Sequence, residues 1–409
     1  MDKRYILPLF VAGALVARTG DEMSGPALLL AGYALTGSTA GASALLAGIT
    51  VAAVVGGPVL GALLDRAGRP GRMLAGSLVL YAVGLGAVLL GLGRLPFAVT
   101  LLIAVSAGLV APALSGGWTA QLPGVAPPDR LQRANSSDAM TFGAASLAGP
   151  ALAGAVAEVL GAPTALVVSA VLVGAAVPVA WTLPAARPPA ASPGPRVRVR
   201  DGTLRGDLAA GAATMVNRPA LARATLTSTL SCAAQGMLAA CVVPLGEHVL
   251  GGAGRGAVLL TCVAVAALTA NAVLARWPLP FTPDTIVWAA ALVQAAALVL
   301  AARAGPTLLL GAVLLAGAAE GPQLTAVFAI RHRESPPRLR GQIFTTGAGV
   351  KQTGYALGAA VAGPAATRSL PGALFLAAGV AALGAPAFFA IRPPTVAPPA
   401  EHPDVSTRT

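Results

Sequence analysis

The stretch GALLDRAGRPGR, residues 61–72, sets one acid, three arginines and three glycines between two long apolar runs. Such density of charge is out of character for the rest of the chain. Of its 409 residues 56% are hydrophobic and 10% are charged, where a soluble domain carries roughly 25% charged residues. The mean hydropathy is +0.77. This is the composition of a chain immersed in lipid, and residues 61–72 have the character of a polar turn between two membrane segments.

Working outward from that turn, apolar runs recur along the whole chain. A helix that crosses the hydrocarbon needs about 20 mainly apolar residues. Runs of suitable length cover 6–35, 40–64, 73–93, 96–121, 135–160, 163–183, 220–246, 255–276, 284–303, 306–330, 341–366 and 370–391. Strands of a membrane barrel alternate in polarity, whereas VTLLIAVSAGLVAPAL, residues 99–114, is apolar on every side. The sequence therefore predicts an all-α membrane protein of twelve spans.

The net charge of +12 is explained by where the basic residues fall. With the first span leaving the cytoplasm, twenty-one of the 27 Lys and Arg residues lie at inner ends and loops, among them Arg66, Arg69, Arg72, Arg196, Arg198, Arg200, Arg331 and Arg333. Four lie on the outer side, and Arg18 and Lys351 fall inside spans. That asymmetry is the positive-inside pattern for an even number of helices with both termini in the cytoplasm. The basicity sets topology, and no nucleic-acid partner is expected. The N-terminal run MDKRYILPLFVAGALVA continues without a cleavage site and is read as a retained first helix. Cys232, Cys241 and Cys262 are read as small core residues, since Cys232 and Cys241 fall on opposite faces of one helix.

Internal repetition divides the chain. VAPALSGG with Pro112 matches AEGPQLTA with Pro322, APPDRLQR with Pro127 matches SPPRLRGQ with Pro336, and LAGPALAG with Pro150 matches VAGPAATR with Pro364. The offsets are 210, 209 and 214 residues, in the same order along both halves. A six-helix unit is thus duplicated: residues 1–183 form the first half, 184–206 a cytoplasmic linker, 207–392 the second half and 393–409 a tail. The Pro-rich, then basic linker suits a surface near anionic lipid. The segment LAAGAATMVNRPALARA after it is expected to lie along the membrane.

In this frame Gly61, Asp65, Arg66, Gly68 and Arg69 read G-x-x-x-D-R-x-G-R between the second and third spans. The pattern resembles the signature loop of the major facilitator superfamily. By architecture the resemblance covers the whole chain; by motif it covers this loop, and the corresponding loop LARWPLPFTPD of the second half lacks the pattern. The resemblance implies secondary transport by two rocking halves. It also implies that Asp65 and Arg69 act as a conformational latch, with the start of the eleventh span near Gly341 as partner. Pro70 departs from the family pattern, with Arg72 as a substitute base. On the fifth span GAASLAGPALAG, carrying Gly143, Gly149, Pro150 and Gly154, is similar to the Gly-Pro motif of the superfamily's drug and metabolite exporters, although Ala153 replaces a glycine. The family's arginine motif on the fourth span is missing.

Charged groups at bilayer depth are costly and normally face a cavity or a partner. Arg18, Asp21 and Glu22 on the first span, Glu320 on the tenth and Lys351 on the eleventh are the candidates for proton coupling or cavity lining. Arg18 and Glu22 are spaced to pair along one helix face, and a static ion pair of a carboxylate with Arg18 or Lys351 stands against a coupling role for Asp21 or Glu320. Glu320 precedes Gly321 and Pro322, which predicts a distorted helix there. Thr225, Ser228, Cys232 and Gln235 form a polar stripe on the seventh span, and Trp118 and Phe328 are the aromatic groups nearest the expected cavity. No phosphate-binding loop, metal-ligand spacing or nucleophile triad stands out, so no enzyme activity, cofactor or metal is expected.

These readings predict a monomeric secondary transporter in a bacterial cytoplasmic membrane, exporting small amphipathic molecules against protons. The alternatives are an uptake carrier of the same fold and a membrane sensor or assembly protein without transport activity.

Overall fold

The computed structural model describes residues 3–184, 203–251, 256–277, 280–303 and 305–391. The bulk of the expected linker, with Arg196, Arg198 and Arg200, and the tail 393–409 lie outside the described residues. Twelve principal helices carry the fold. The first half holds α1 (Lys3–Thr36), α2 (Thr39–Arg66), α3 (Pro70–Gly91), α4 (Phe97–Gly108), α5 (Leu131–Leu160) and α6 (Ala162–Ala175). The second holds α7 (Pro219–Leu250), α8 (Gly256–Arg276), α9 (Pro283–Ala302), α10 (Pro306–Glu334), α11 (Arg340–Arg368) and α12 (Leu370–Ala382). Among the described residues no strand occurs.

Local chemistry sets the helix ends. Ser38, Thr282 and Ser369 cap α2, α9 and α12 by accepting a backbone N–H from the first turn, and Pro70, Pro283 and Pro306 occupy first-turn positions where no N–H is missed. Gly251, at φ 79°, ends α7 in the left-handed region that glycine tolerates.

Ten helical segments of the described residues are long and apolar enough to cross a membrane. The two principal helices outside that set are α1, with Arg18, Asp21 and Glu22 within five positions, and α11, which carries Lys351 among Gly, Thr and Gln residues. Their polarity is tolerable because both line the interior between the halves.

Packing inside each half relies on small residues, as expected where lipid supplies no hydrophobic drive between helices. A Cβ on Gly56 of α2 would stand 2.1 Å from the Leu109 carbonyl oxygen, and one on Gly317 of α10 would stand 2.2 Å from the Val263 oxygen of α8. Large apolar clusters form separately in each half: one is built around Phe10, Leu74, Tyr81 and Trp118, another around Leu238, Leu298, Leu309 and Leu374.

Two local expectations need correction. The fourth span is not one helix: after α4 it passes through a 3-10 turn at Ala111–Ala113 and short helices at Gly116–Thr119 and Leu122–Val125. Pro112, Gly116 and Gly117 together break it. Conversely α10 runs unbroken through Glu320 and Pro322, and it continues to Glu334, so that Arg331 lies inside the helix. The segment expected along the membrane forms a helix at Leu204–Asn217 that packs against α2, α7 and α11, with the Gln342 side chain donating to the Leu208 carbonyl at 3.0 Å.

The close glycine contacts give a direct test. Gly56→Ala should destabilise the fold by about 1–3 kcal/mol through overpacking, whereas Gly76→Ala, with open space around the new methyl, should leave the thermal midpoint in detergent unchanged. Equal midpoints for the two variants would remove close packing as the reason for Gly56.

Candidate functional site

A cavity of about 940 Å³ lies between the two halves. Its walls come from both: Asp21, Glu22 and Tyr81 on one side, and Gln235, Glu320 and Lys351 on the other. At the end of the molecule that carries residues 61–72 the halves meet and the cavity is closed. There a Cβ on Gly61 of α2 would stand 2.4 Å from the Gln342 Cα of α11, so only glycine permits the approach. Thr345 donates its hydroxyl to the Gly57 carbonyl at 2.6 Å.

The close approach delivers Asp65 to the start of α11. Its carboxylate accepts the backbone N–H of Gly341 at 2.6 Å and of Gln342 at 2.8 Å, two donors that have no partner within their own helix. A carboxylate at a helix N-terminus also gains from the helix dipole. Arg66 pairs at 2.5 Å with Asp207 of the Leu204–Asn217 helix. Arg69, by contrast, is exposed and caps α3 without an ion pair among the described residues, so the charged contact to the second half's first helix is made by Arg66. Gly68 is exposed in the turn with open space where a Cβ would be.

Arg18 does not pair with Glu22. Its guanidinium reaches Asp138 of α5 at 2.8 Å, with both side chains out of contact with solvent. It also donates to Thr119 Oγ1 at 2.8 Å, to the Leu114 carbonyl at 3.2 Å and to Thr141, and it stacks 3.7 Å over the Phe142 ring. The broken fourth span makes this possible, because its unwound turns present carbonyls to a side chain.

The carboxylates that line the cavity are placed differently. Asp21 accepts from the Tyr81 hydroxyl at 3.0 Å, and Tyr81 in turn meets Ser24 at 3.0 Å. Glu22 faces Ser146 of α5. Among the described residues neither Asp21, Glu22 nor Glu320 has a basic group within 4.0 Å, and Lys351 is the base whose charge Glu320 feels from α11. Gly149 lets α5 close on α1, since its Cβ would stand 2.6 Å from that of Glu22. Pro150 sits exposed beside it on an unbroken helix, and Gly154 meets open space, so the close approach belongs to Gly149 alone.

The second half adds a chain of amides. Gln235 donates to Gln294 at 3.5 Å, Gln294 to Gln323 at 3.2 Å, and Gln323 to Ser231 and to the Val287 carbonyl, each at 3.0 Å. Of the polar stripe on α7, Cys232 and Gln235 line the cavity, while Ser228 turns back onto the Thr225 carbonyl. Trp118 is not a cavity group: it is fully buried against Phe10 in the first half's core. The aromatic floor consists of Phe142, Phe328 and Phe344, with ring centroids 5.7 and 6.0 Å apart. Among the described residues no group of three His, Cys, Asp or Glu side chains could hold a metal ion.

A cavity between two six-helix halves, closed at one end by the 61–72 loop, agrees with comparisons across known proteins. The Major Facilitator Superfamily model matches residues 10–278. An uncharacterised MFS-type transporter, y4rN of Sinorhizobium fredii, is 30% identical over 353 residues, covering 83% of this chain and 84% of that protein. The chain belongs to the Major Facilitator Superfamily. It is therefore a multi-pass membrane transporter rather than an enzyme. Two solved structures share the fold. The human organic anion transporter MFSD10 matches with a TM-score of 0.74 at 16% identity, over 96% of this chain and 100% of that one. A bacterial homologue of the iron transporter ferroportin in an outward-facing state matches with a TM-score of 0.75 at 16% identity, over 94% and 99%.

Two charged residues of the site, Asp138 as the counter-ion of Arg18 and Arg331 as a cavity-lining base, escape a sequence reading. Asp138 lies in ANSSDAM at the start of a span, and Arg331 lies one position past the expected end of another. A count of every charge within one helical turn of a span end would include both.

The Arg18–Asp138 pair is open to a double-mutant test. Asp138→Asn should destabilise the protein by about 3–5 kcal/mol, because it strands a buried guanidinium. Arg18→Gln combined with Asp138→Asn should recover part of that loss in thermal unfolding. A double variant no more stable than Asp138→Asn alone would show that the stranded charge is not the cause.

Proposed function

We propose that this transporter exports small amphipathic molecules in exchange for protons, by alternating access at the central cavity. The observation that carries the reading is that Asp21, Glu22 and Glu320 line the cavity between the halves and, among the described residues, have no basic partner at ion-pair distance. A carboxylate in such a place can shed its charge by taking up a proton and regain it on the other side of the membrane. Arg18 is already satisfied by Asp138, so it does not lock either acid of α1.

The orientation follows from charge. The end that carries Arg66, Arg69 and Arg72 also carries Arg333, Arg338 and Arg340, and this concentration of basic residues supports a cytoplasmic orientation of that end in a bacterial inner membrane. The closed end is then cytoplasmic and the conformation is outward-facing. Asp65, with Gly61 permitting the approach, serves as the latch of that state and Arg66 supports it. The direction of transport rests on the similarity of the Gly149–Pro150 segment to exporters of the superfamily. The protein acts as a monomer, since the cavity is complete within one chain. The structural relatives named above carry an organic anion and are related to an iron transporter, so the shared fold by itself names no cargo.

Everted vesicles holding the protein, under an inward proton gradient, test the reading with a panel of cationic, zwitterionic and anionic amphiphiles. Proton-dependent accumulation is expected in wild type and should fall at least about tenfold in Glu320→Gln or Asp21→Asn. Accumulation that survives both substitutions would overturn the coupling role of these acids. Asp65→Asn should slow transport with normal membrane insertion, because a neutral amide holds the α11 amides less well; unchanged kinetics in a normally inserted variant would remove the latch.

A further inference from the structure

Two guanidinium groups lie at the floor of the cavity, and their surroundings differ. Arg18 has an internal counter-ion and a hydrogen-bond partner for each of its nitrogens. Arg331 of α10 is just as deeply placed, at 1% exposure, yet among the described residues it has neither an ion pair nor a hydrogen bond. Its Nε and Nη2 are buried without a partner. Packing holds it there: the group lies 5.9 Å from the Phe344 ring centroid, and a Cβ on Gly347 of α11 would stand 2.3 Å from Nη2.

Among the described residues no acid lies within ion-pair distance of it. Glu320, on the same helix, is eleven residues away, about 16 Å along the axis. Around Arg331 stand Cys232, the Phe344 ring and the unpartnered His332, and the next base on α11 is Lys351. The carboxylates of α1 can be neutralised by a proton, but a guanidinium keeps its charge at every physiological pH. A buried charge that cannot be neutralised needs a counter-ion. Since Arg331 lines the cavity, the counter-ion can come from what the cavity holds.

We propose that Arg331 binds the anionic group of the cargo, an oxyanion such as a carboxylate or sulfonate, whose apolar body rests on Phe142, Phe328 and Phe344. The forked donors of a guanidinium suit planar or tetrahedral oxyanions, and the aromatic floor adjoins them. The proposal rests on the cavity being the transport site and adds to it the charge of the molecule carried.

The test uses the full chain in lipid nanodiscs with benzoate, benzenesulfonate and the neutral isostere benzamide as probes, read by calorimetric titration. Benzoate or benzenesulfonate should bind wild type at least about tenfold more tightly than benzamide. Arg331→Gln should abolish that preference, and Arg331→Lys should keep part of it. Equal binding of acid and amide, binding of none of the oxyanions, or an undiminished preference in Arg331→Gln would overturn the proposal. If Arg331→Gln is not monodisperse, the comparison of acid with amide in wild type and in Arg331→Lys decides. Proton-driven flux of cations and neutral compounds with no oxyanion binding would sink this inference and leave the transport reading standing. Oxyanion binding that depends on Arg331 without any proton-driven flux would do the reverse.

Discussion

The shape of the molecule depends on a carboxylate of one half meeting a helix end of the other. Asp65 accepts the first free amides of α11, and those donors would otherwise be left without partners where two apolar halves meet. The contact forms because Gly61 lets α2 come within van der Waals range of the α11 backbone. Once it forms, Thr345 reaches Gly57, Phe344 lies against the backbone of Gly116, and the Leu204–Asn217 helix is drawn in by Arg66 and Gln342. One end of the space between the halves is thereby closed, and the remainder is the cavity. A hydrogen bond to two backbone amides is strong enough to hold this geometry, yet it is made by one side chain at a surface that water can reach, so it can be exchanged without unfolding either half.

Low dielectric governs what the cavity can contain. Charges buried there must be paired, neutralised by protons or matched by something that enters. The first solution is seen directly, and the other two are those proposed for the remaining charges. Arg18 and Asp138 are paired within the first half and tie α1, the broken fourth span and α5 into one unit. Among the described residues Asp21, Glu22 and Glu320 have no base within 4.0 Å, which leaves a proton as the recourse proposed for them. Arg331 has neither, which is why it stands out chemically from the other arginine at the same floor. The second half contains a chain of amides from Gln235 to Ser231, a device that carries no charge and leaves the electrostatic balance of the cavity to its lining groups.

The number of spans, the duplication and the family motif were legible in the sequence because each depends on patterns of local composition: runs of apolar residues, recurrent prolines and a charged turn with its glycines. Membrane immersion makes such patterns strong, since every helix must be apolar over about 20 residues. The pairing of charges was not legible. Arg18 and Glu22 have the spacing of a helix pair, yet Arg18 turns toward Asp138, 120 residues away, because a buried carboxylate and unwound carbonyls on other elements outweigh an exposed neighbour on its own. The true end of α10 was equally hidden. Arg331 has the look of a positive-inside anchor at a span boundary, and only the continuation of the helix to Glu334 carries it beneath the cavity.

The two halves also show how little a shared sequence pattern constrains local structure. VAPALSGG and AEGPQLTA occupy matching places in the repeat, but the first unwinds and the second stays helical. Pro112 is followed by the glycine pair Gly116 and Gly117, which add backbone freedom where a helix is already missing a donor, whereas Pro322 has Gln323 beside it, fixed by Gln294, Ser231 and the Val287 carbonyl. Unwinding releases carbonyls, and the arginine that collects them is on α1 of the same half. Keeping α10 helical has a different effect: it extends the helix so that the side chain arrives at the floor with Nε and Nη2 unpartnered. The asymmetry between a satisfied and an unsatisfied arginine is thus a consequence of how each copy of one motif handles its proline.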